Sequence, residues 1–311
     1  MLMAILAWLH NAYGRDLIDG IRAALPGEEI REWPDAGNPD EIDICIIFRM
    51  PHGFLKPFTN LRLMSATGAG IDHYLLDPDF PKGIRMVRIV DHDFASRMAD
   101  YVLTWTLFHH RDVPHFLGAQ QRRAWAYKIM RSARDVRVGV MGLGQMGRLA
   151  AERLAGIGYD TAAWSRSPHE VRGVTCFAGQ EQFPAFLHRT EILINLLPLT
   201  TTTRAILSAP TFAQMPQESV VISAGRGGHL VEADLLDALH SGQLRAATID
   251  AFPVEPLPEE SPLWSTPNLY ITPHCSSTAS LETIVNTFAE NVRRFRAGEA
   301  LLNEVDTIAG Y

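Results

Sequence analysis

The chain has few cysteines, no long apolar run and no excess of positive charge. Only three of its 311 residues are cysteine, Cys45, Cys176 and Cys275, and they are far apart without the C-x-x-C spacing of zinc or redox sites. We therefore expect neither a disulfide framework nor a bound metal, and we expect a reducing, cytoplasmic setting. No stretch approaches the roughly 18 apolar residues of a membrane span, so a transmembrane protein is not expected.

The net charge of −7 at pH 7 argues against one class of partner. Binding to nucleic acid depends on a basic surface that neutralises phosphates, which this composition does not favour. A small anionic substrate remains compatible if a few arginines are placed locally. We expect a small-molecule substrate, and neither a nucleic acid nor a membrane as partner.

Short apolar runs alternate with amphipathic segments of helix length through most of the chain. This alternation is typical of parallel sheets with helical crossovers, and the length suits two domains, so the sequence predicts an α/β protein with two doubly wound, Rossmann-like units. The predicted strands are 3–8, 44–48, 62–67 and 85–90 in the first part, and 136–141, 160–164, 192–196, 220–223, 246–250 and 269–272 in the second. The predicted helices are 16–25, 94–116, 146–156, 232–241 and 281–296.

A glycine-rich loop follows the predicted strand 136–141, and a helical pattern begins directly after it. In a dinucleotide-binding motif the first glycine allows a tight turn, the second lets the backbone approach a pyrophosphate, and the third allows close packing of helix and strand. The N–H groups of the helix N-terminus would hold the phosphates. A purely structural glycine turn is the alternative. The predicted cofactor-binding residues here are Gly142, Leu143, Gly144, Gln145, Met146 and Gly147.

The next predicted strand ends in Ser165-Arg166-Ser167, where an NAD-binding domain would carry an acidic residue for the ribose hydroxyls. A guanidinium between two hydroxyls suits the 2′-phosphate of NADP instead. We expect these three residues to bind the cofactor and NADPH to be preferred over NADH. A solvated surface arginine is the alternative interpretation of Arg166.

Three further polar residues, Arg226, Glu255 and His274, follow predicted strands of the second part. Reduction of a 2-oxo acid needs a cation for the carboxylate, a proton donor for the developing alkoxide and a source of hydride. Arg226 can bind the carboxylate and His274 can donate the proton, while Glu255 can orient His274 and favour its charged form. Each alone has an ordinary structural explanation, but their coincidence at strand ends of one dinucleotide domain favours catalysis.

Three short motifs follow the glycine loop in the order arginine–glycine, glutamate–proline and threonine–proline–histidine. With this order of motifs, the chain resembles the D-2-hydroxyacid dehydrogenase family over essentially its whole length. Three segments are most similar to the glyoxylate/hydroxypyruvate reductases within that family: 194–198, 255–264 and 310–311. The resemblance implies that Arg226, Glu255 and His274 take the catalytic positions. It also implies NADPH-dependent reduction of small 2-oxo acids, such as glyoxylate and hydroxypyruvate, to D-2-hydroxy acids.

The resemblance further implies a domain organisation. In the family the chain returns to its first domain after the catalytic histidine, which assigns 1–95 and 277–311 to a flavodoxin-like substrate-binding domain. Residues 96–276 would form the Rossmann domain, with the active site in the cleft between the two. A homodimer is expected from the family and from the long apolar helix 94–116. The polar, basic stretch 120–137 would contact the second subunit or, alternatively, form an exposed linker.

Five more residues receive a role by resemblance alone. Asp250 takes the position of an acid near the nicotinamide carboxamide, and Leu197 and Pro198 belong to a loop that lines the cofactor. Ala69 and Gly70 resemble the loop whose N–H groups receive the substrate carboxylate, and successive glycine-rich amides can form such an anion site. An ordinary turn that uses glycine for its backbone freedom is the alternative for this loop.

The sequence departs from the family pattern in two places. Ser223-Ala224-Gly225 stands before Arg226 where the family usually has asparagine, another residue and alanine. A looser turn at Gly225 would change substrate affinity more than reaction type. Arg49 lies in a substrate-side loop where the subfamily has another residue, and it would extend the preference toward larger or dicarboxylic oxo acids or be a surface arginine.

Two alternative functions stay open. One is an NAD-dependent dehydrogenase of another D-2-hydroxy acid, against which Arg166 argues. The other is a non-catalytic, nucleotide-sensing binding protein of the same fold, which could keep the catalytic residues. Oxidation of NADPH with a panel of oxo acids would separate these functions, because a binding protein would oxidise none.

Overall fold

The computed structural model describes residues 3–9, 14–48, 50–68, 70–75, 77–91 and 93–305. The chain divides into two compact units, one formed by Met1–Asp93 with Thr278–Tyr311 and the other by Phe94–Ser277. Each unit contains one sheet in which all strands are parallel. The predicted α/β class with two parallel sheets is therefore confirmed.

The first unit contains a five-stranded sheet in the order β2-β1-β3-β4-β5, which is the flavodoxin-like doubly wound order. Its strands are β1 (Ala4–Trp8), β2 (Ile30–Glu32), β3 (Ile42–Ile47), β4 (Leu63–Ala66) and β5 (Arg85–Val87). In the register of the sheet, Ile5 pairs with Ile30 on one side and with Ile44 on the other. Strands β1, β3 and β4 are buried along their whole length, and their continuous apolar runs follow from burial on both faces.

The second unit contains a seven-stranded sheet in the order β12-β11-β10-β9-β6-β7-β8. Its strands are β6 (Arg137–Met141), β7 (Asp160–Ser165), β8 (Thr175–Ala178), β9 (Ile192–Asn195), β10 (Ser219–Ser223), β11 (Leu244–Ile249) and β12 (Leu269–Ile271). This is the Rossmann order with one strand added beyond the sixth. The chain moves outward from β6 to β8 and then returns to place β9 on the other side of β6. That reversal makes the carboxyl ends of β6 and β9 the expected place for a ligand.

Nine helices connect or cover these strands within the described residues. They are α1 (Gly14–Ala24), α2 (Asp72–Leu75), α3 (Phe94–His110), α4 (Val113–Gln121), α5 (Gln145–Ile157), α6 (Phe183–Arg189), α7 (Ala209–Phe212), α8 (Glu232–Ser241) and α9 (Leu281–Ala297). Helix α9 returns to the first unit and packs on α1, where Gly20 allows Val285 to come close. It begins at a Ser280 cap, whose Oγ accepts a hydrogen bond from the Thr283 N–H.

The predicted helix 94–116 is wrong as a single element, because the structure contains two helices there. Helix α3 ends at His110, and α4 begins after Asp112, whose φ of 50° is left-handed. Pro114 explains the break, since its ring would clash with the His110 carbonyl in a continuous helix and it has no N–H to donate. The short strands β2 and β8 and the helices α2, α6 and α7 were not predicted.

None of the helices in the described ranges has the length and apolar character needed to cross a membrane. The three cysteines are free thiols, with Cys45 buried and Cys275 exposed. No cluster of histidine, cysteine and carboxylate side chains that could hold a metal ion occurs among the residues the structure describes.

Candidate active site

The carboxyl ends of the seven parallel strands lie at one edge of the second sheet, and the predicted site residues of this unit follow those ends. The glycine loop follows β6, Arg166 follows β7, Leu197 follows β9, Arg226 follows β10, Asp250 follows β11, and His274 follows β12. Parallel strands bring these positions together even though they are spread over more than a hundred residues of sequence.

The three motif glycines have different surroundings. Gly142 has a φ of +100°, and a Cβ on it would lie 2.9 Å from the Leu196 carbonyl oxygen in the loop after β9. A Cβ on Gly147 would lie 1.8 Å from the Gly142 carbonyl oxygen, so only glycine fits there. Gly144, at the N-cap of α5, has open space on its Cβ side. The loop is therefore closed toward the protein at Gly142 and Gly147, and it leaves room for a ligand at Gly144.

The N-terminus of α5 gives the end of this loop a partial positive charge. The first N–H groups of a helix have no acceptor within the helix and form its positive end. Gln145 is exposed and Met146 is half-buried there, while Leu143 is buried and packs into the unit's core. A phosphate would meet helix N–H groups and an open backbone at this point, so the loop fits the pyrophosphate of a dinucleotide.

The end of β7 carries Ser165, Arg166 and Ser167. Ser165 is buried and its hydroxyl donates to the Ser167 carbonyl at 2.8 Å, which fixes the turn. Arg166 and Ser167 are exposed. The Arg166 guanidinium has neither a hydrogen bond nor an ion pair within the described part of the chain. NAD-binding domains place an acidic residue at this strand end to bind the ribose hydroxyls. Here the position carries a cation that can bind a phosphate.

The loop after β9 is held by its own polar groups. The Leu197 N–H donates to Asn195 Oδ1 at 3.3 Å, and the Pro198 carbonyl accepts from the Thr203 hydroxyl at 2.7 Å. Leu197 is buried, whereas Pro198 is exposed. This loop contacts the glycine loop through Leu196 and Gly142, so both lie at the point where the strand order reverses.

His274 and Glu255 form a hydrogen-bonded pair. His274 Nδ1 lies 2.9 Å from Glu255 Oε2 and 3.1 Å from Oε1, and Oε1 also accepts from the Phe252 N–H at 2.7 Å. The Glu255 side chain is 13% exposed and the His274 side chain 36% exposed. Glu255 thus holds the Nδ1 side of the ring, so a proton given to a substrate would come from Nε2.

Asp250 fixes the loop that carries His274. Its side chain is 1% exposed. Oδ1 accepts hydrogen bonds from the Thr272 hydroxyl at 2.6 Å and the Cys275 N–H at 2.9 Å, and Oδ2 accepts from the Ser276 N–H at 3.0 Å. Its carbonyl accepts from the His274 N–H at 2.8 Å. These bonds hold His274 at a left-handed φ of 54°, which a non-glycine residue rarely adopts.

Reasoning from the sequence missed this anchoring role of Asp250. It also missed Tyr101, which supports the same loop. The Tyr101 hydroxyl lies 2.7 Å from Thr272 Oγ1 and extends the same network from α3. The predicted contact of Asp250 with the nicotinamide remains a prediction.

Arg226 begins a short turn after β10 and is half-buried. Its Nη1 donates to the Gly225 carbonyl at 3.1 Å, and its backbone N–H donates to His229 Nδ1 at 3.0 Å. His229 is a further residue that reasoning from the sequence missed.

The substrate-binding residues predicted in the first unit are only partly described. Gly70 follows β4 and is half-buried. Ala69 and Arg49 lie outside the described residues. Thr67, directly after the same strand, is 1% exposed, and its hydroxyl has no hydrogen-bond partner among the described residues.

Residues 103–276 match the model of the D-isomer specific 2-hydroxyacid dehydrogenase NAD binding domain, which spans the glycine loop through His274. The chain belongs to the D-isomer specific 2-hydroxyacid dehydrogenases. The predicted resemblance to this family is therefore confirmed.

Relatives within the family match nearly the whole chain. Glyoxylate/hydroxypyruvate reductase A of Yersinia enterocolitica is 35% identical over 300 residues, which cover 94% of this chain and 95% of that protein. A family member from Xanthobacter autotrophicus, solved with NADPH and MES, is 39% identical with a TM-score of 0.82, and all of both chains is covered. The NADPH-dependent glyoxylate/hydroxypyruvate reductase of Sinorhizobium meliloti, solved with NADP and sulfate, is 33% identical with a TM-score of 0.85 and covers 99% of this chain and 100% of that one.

Proposed function

We propose that the chain reduces small 2-oxo acids, glyoxylate and hydroxypyruvate among them, to D-2-hydroxy acids with NADPH. The observation that carries this proposal is the His274–Glu255 pair, which lies at the same sheet edge as Arg226 and the glycine loop. This edge combines a proton donor, a cation for a carboxylate and a dinucleotide-binding loop. The relatives named glyoxylate/hydroxypyruvate reductase support the substrate class.

Each polar residue has a separate task in the proposed reaction. Arg226 binds the substrate carboxylate, and the glycine-rich backbone at Ala69 and Gly70 is the second group proposed to bind it. His274 Nε2 donates a proton to the oxo oxygen as it gains charge, and Glu255 keeps the ring in the orientation for that donation. Arg49 would contact the far end of a larger substrate.

The cofactor site is proposed from the same sheet edge. When bound, NADPH supplies the hydride that reduces the oxo carbon. The loop 142–147 would hold the pyrophosphate, and Arg166 and Ser167 would hold the 2′-phosphate. The predicted contact of Ser165 with the cofactor is revised, because its buried hydroxyl donates to the Ser167 carbonyl and shapes the turn instead. Leu197, Pro198 and Asp250 would line the nicotinamide end. Two similar structures hold NADPH or NADP, which supports the preference for the phosphorylated cofactor.

We also propose a homodimer in a reducing, cytoplasmic setting. The stretch after α4 exposes three large apolar side chains at alternate positions: Trp125 (100%), Tyr127 (85%) and Ile129 (83%). Large apolar side chains exposed together in one short segment support a protein–protein interface there. The three free thiols suit a reducing compartment. Light scattering on a Trp125→Ser/Tyr127→Ser variant tests the dimer. Dissociation to monomers is expected, and an unchanged mass would remove this stretch from the interface.

The proposed function is tested by following the oxidation of NADPH and NADH with glyoxylate, hydroxypyruvate, pyruvate, phenylpyruvate and oxaloacetate. Rapid oxidation of NADPH with the first two is expected. Oxidation with none of the five acids would favour the binding-protein alternative. Faster turnover of oxaloacetate would instead indicate a dicarboxylic substrate and a role for Arg49.

A further inference from the structure

Three buried polar side chains, Asn195, Ser223 and His229, connect the loops after β9 and β10. Asn195 and His229 are 0% exposed and Ser223 is 2% exposed. Burying a polar group costs free energy of folding unless the group is hydrogen-bonded. The hydrogen bonds of these side chains therefore constrain the loops that carry them. All three lie within a few residues of Arg226 or of the loop at Leu197.

The hydrogen bonds of this cluster determine the protonation of His229. The Leu197 N–H donates to Asn195 Oδ1, so the amide nitrogen of Asn195 faces the other way, 3.2 Å from Ser223 Oγ and 3.1 Å from His229 Nδ1. The backbone N–H of Arg226 points at the same Nδ1 from 3.0 Å. Because two donors meet on Nδ1, it must be an acceptor, and His229 is the neutral tautomer with its proton on Nε2.

The surroundings of His229 favour this neutral form. Burial lowers the pKa of His229, and the charges of Arg226 and Arg204 act in the same direction, whereas the Pro198 backbone carbonyl opposes them. These effects act in the same sense as the hydrogen bonds, which make Nδ1 an acceptor.

His229 holds the backbone of Arg226 from both sides. The Nδ1 atom of its ring accepts a hydrogen bond from the Arg226 backbone N–H. The backbone N–H of His229 donates to the Arg226 carbonyl at 3.0 Å. Both peptide groups next to the Arg226 Cα are thus fixed by a single residue. The direction in which the Arg226 side chain projects from the backbone depends on these two hydrogen bonds.

Gly225 makes room for the ring. A Cβ on Gly225 would lie 2.7 Å from His229 Nδ1, 3.0 Å from His229 Cε1 and 2.9 Å from Asn195 Nδ2. These distances are below ordinary contact, so alanine at this position would displace the ring from Arg226. The glycine that was expected to loosen the turn is instead packed against a histidine that tightens it.

We infer, on the basis of the function proposed above, that His229 is a positioning residue that aims Arg226 at the substrate carboxylate and that Gly225 is required to admit its ring. His229 acts through Arg226 and does not touch substrate. It adjusts affinity for the oxo acid and leaves the proton donor His274 in place.

Substitution of His229 tests the positioning directly. Since misplacement by about 1 Å can cost on the order of a hundredfold, His229→Leu should raise KM for glyoxylate and the Kd for oxalate on the enzyme–NADP⁺ complex by roughly ten- to a hundredfold. KM for NADPH should change less than about threefold. His229→Asn keeps an acceptor oxygen near the place of Nδ1 and should recover most of the affinity. His109→Leu, another buried histidine of this unit, is the matched control and should leave both constants unchanged.

A double-mutant cycle tests the pairing with Gly225. Gly225→Ala should lower kcat/KM for glyoxylate about tenfold in the parent chain but less than about twofold in the His229→Ala background. There the ring is gone, and the Asn195 amide, the other close neighbour of a Cβ at this position, can move into the space that the ring leaves. Equal effects of Gly225→Ala in both backgrounds, or an unchanged oxalate Kd in His229→Leu, would overturn the inference. Absence of oxo-acid turnover by the parent chain would overturn the proposed function instead, and oxalate binding would still report on Arg226.

Discussion

Arg166 is the residue on which the proposed cofactor preference depends. It is exposed at the end of β7 and has no carboxylate beside it at that strand end. Arg166→Ala should lower kcat/KM for NADPH by roughly ten- to a hundredfold, the usual size of a lost bond to a charged group, and change that for NADH little. Steady-state kinetics with both cofactors check this. Equal use of NADH by the parent chain would contradict the assignment.

Arg226 should be sensitive even to a substitution that keeps its charge. Lysine lacks the planar fork that holds a carboxylate in one orientation, and it cannot reproduce the Nη1 bond to the Gly225 carbonyl with the same geometry. Arg226→Lys should therefore lower kcat/KM for the oxo acid by at least about tenfold while the affinity for NADPH, measured by fluorescence titration, is kept. Near-parental efficiency would show that Arg226 does not anchor the substrate.

Substitutions of His274 and Glu255 should lower the catalytic rate to different extents. His274→Ala removes the proton donor and should lower kcat by roughly a hundred- to ten-thousandfold. Glu255→Gln keeps an oxygen that can accept from Nδ1, so its loss should be clearly smaller. A deuterated cofactor shows whether hydride transfer limits each rate. If the two variants lose activity equally, Glu255 does more than orient the ring.

At the scale of elements, the turn from β6 to α5 and the ends of β10, β11 and β12 could be predicted from the sequence. Apolar runs followed by glycine or polar residues are local signals, and parallel strands necessarily bring their ends together. Strands β2 and β8 lack a continuous apolar run, because they are short edge strands that are at most partly buried. His229 could not be identified either, because its contacts depend on the turn at Arg226 and on the approach of Asn195 from the loop after β9, which one histidine among twelve does not signal.

Helix α3 carries a second buried histidine whose contribution to stability depends on pH. Burial lowers the pKa of His109 to about 3, the charge of Arg245 acts in the same direction, and Asp112 opposes them. The unfolded chain takes up this proton below about pH 6.5, whereas the folded chain does not until about pH 3. The stability contributed by the neutral ring is therefore present above pH 6.5 and is lost as pH falls through this window, by at most ~1.4 kcal/mol per pH unit.

His109→Gln should flatten this dependence, because glutamine does not titrate and its amide can still bond to Thr248, which lies 2.8 Å from His109 Nε2. Urea unfolding between pH 6.5 and pH 4 should show a shallower loss of free energy in the variant than in the parent. His240→Gln replaces an exposed histidine on α8 and serves as the control. An identical slope in parent and His109→Gln would mean that His109 takes up its proton in the folded state at an ordinary pH.

At the scale of the whole molecule, the two units supply different parts of one proposed reaction. The second unit brings the dinucleotide loop, Arg226 and the His274–Glu255 pair to one sheet edge, and the first unit offers the backbone loop at Gly70. The family match covers the second unit nearly completely, and the relatives extend over both.

Product analysis of hydroxypyruvate reduced with NADPH by the purified chain tests the proposed activity itself. One equivalent of D-glycerate should form for each NADPH oxidised, at a kcat/KM well above that with NADH. Formation of L-glycerate, or no turnover with either cofactor, would contradict the proposal that this chain is an NADPH-dependent reductase that forms D-2-hydroxy acids.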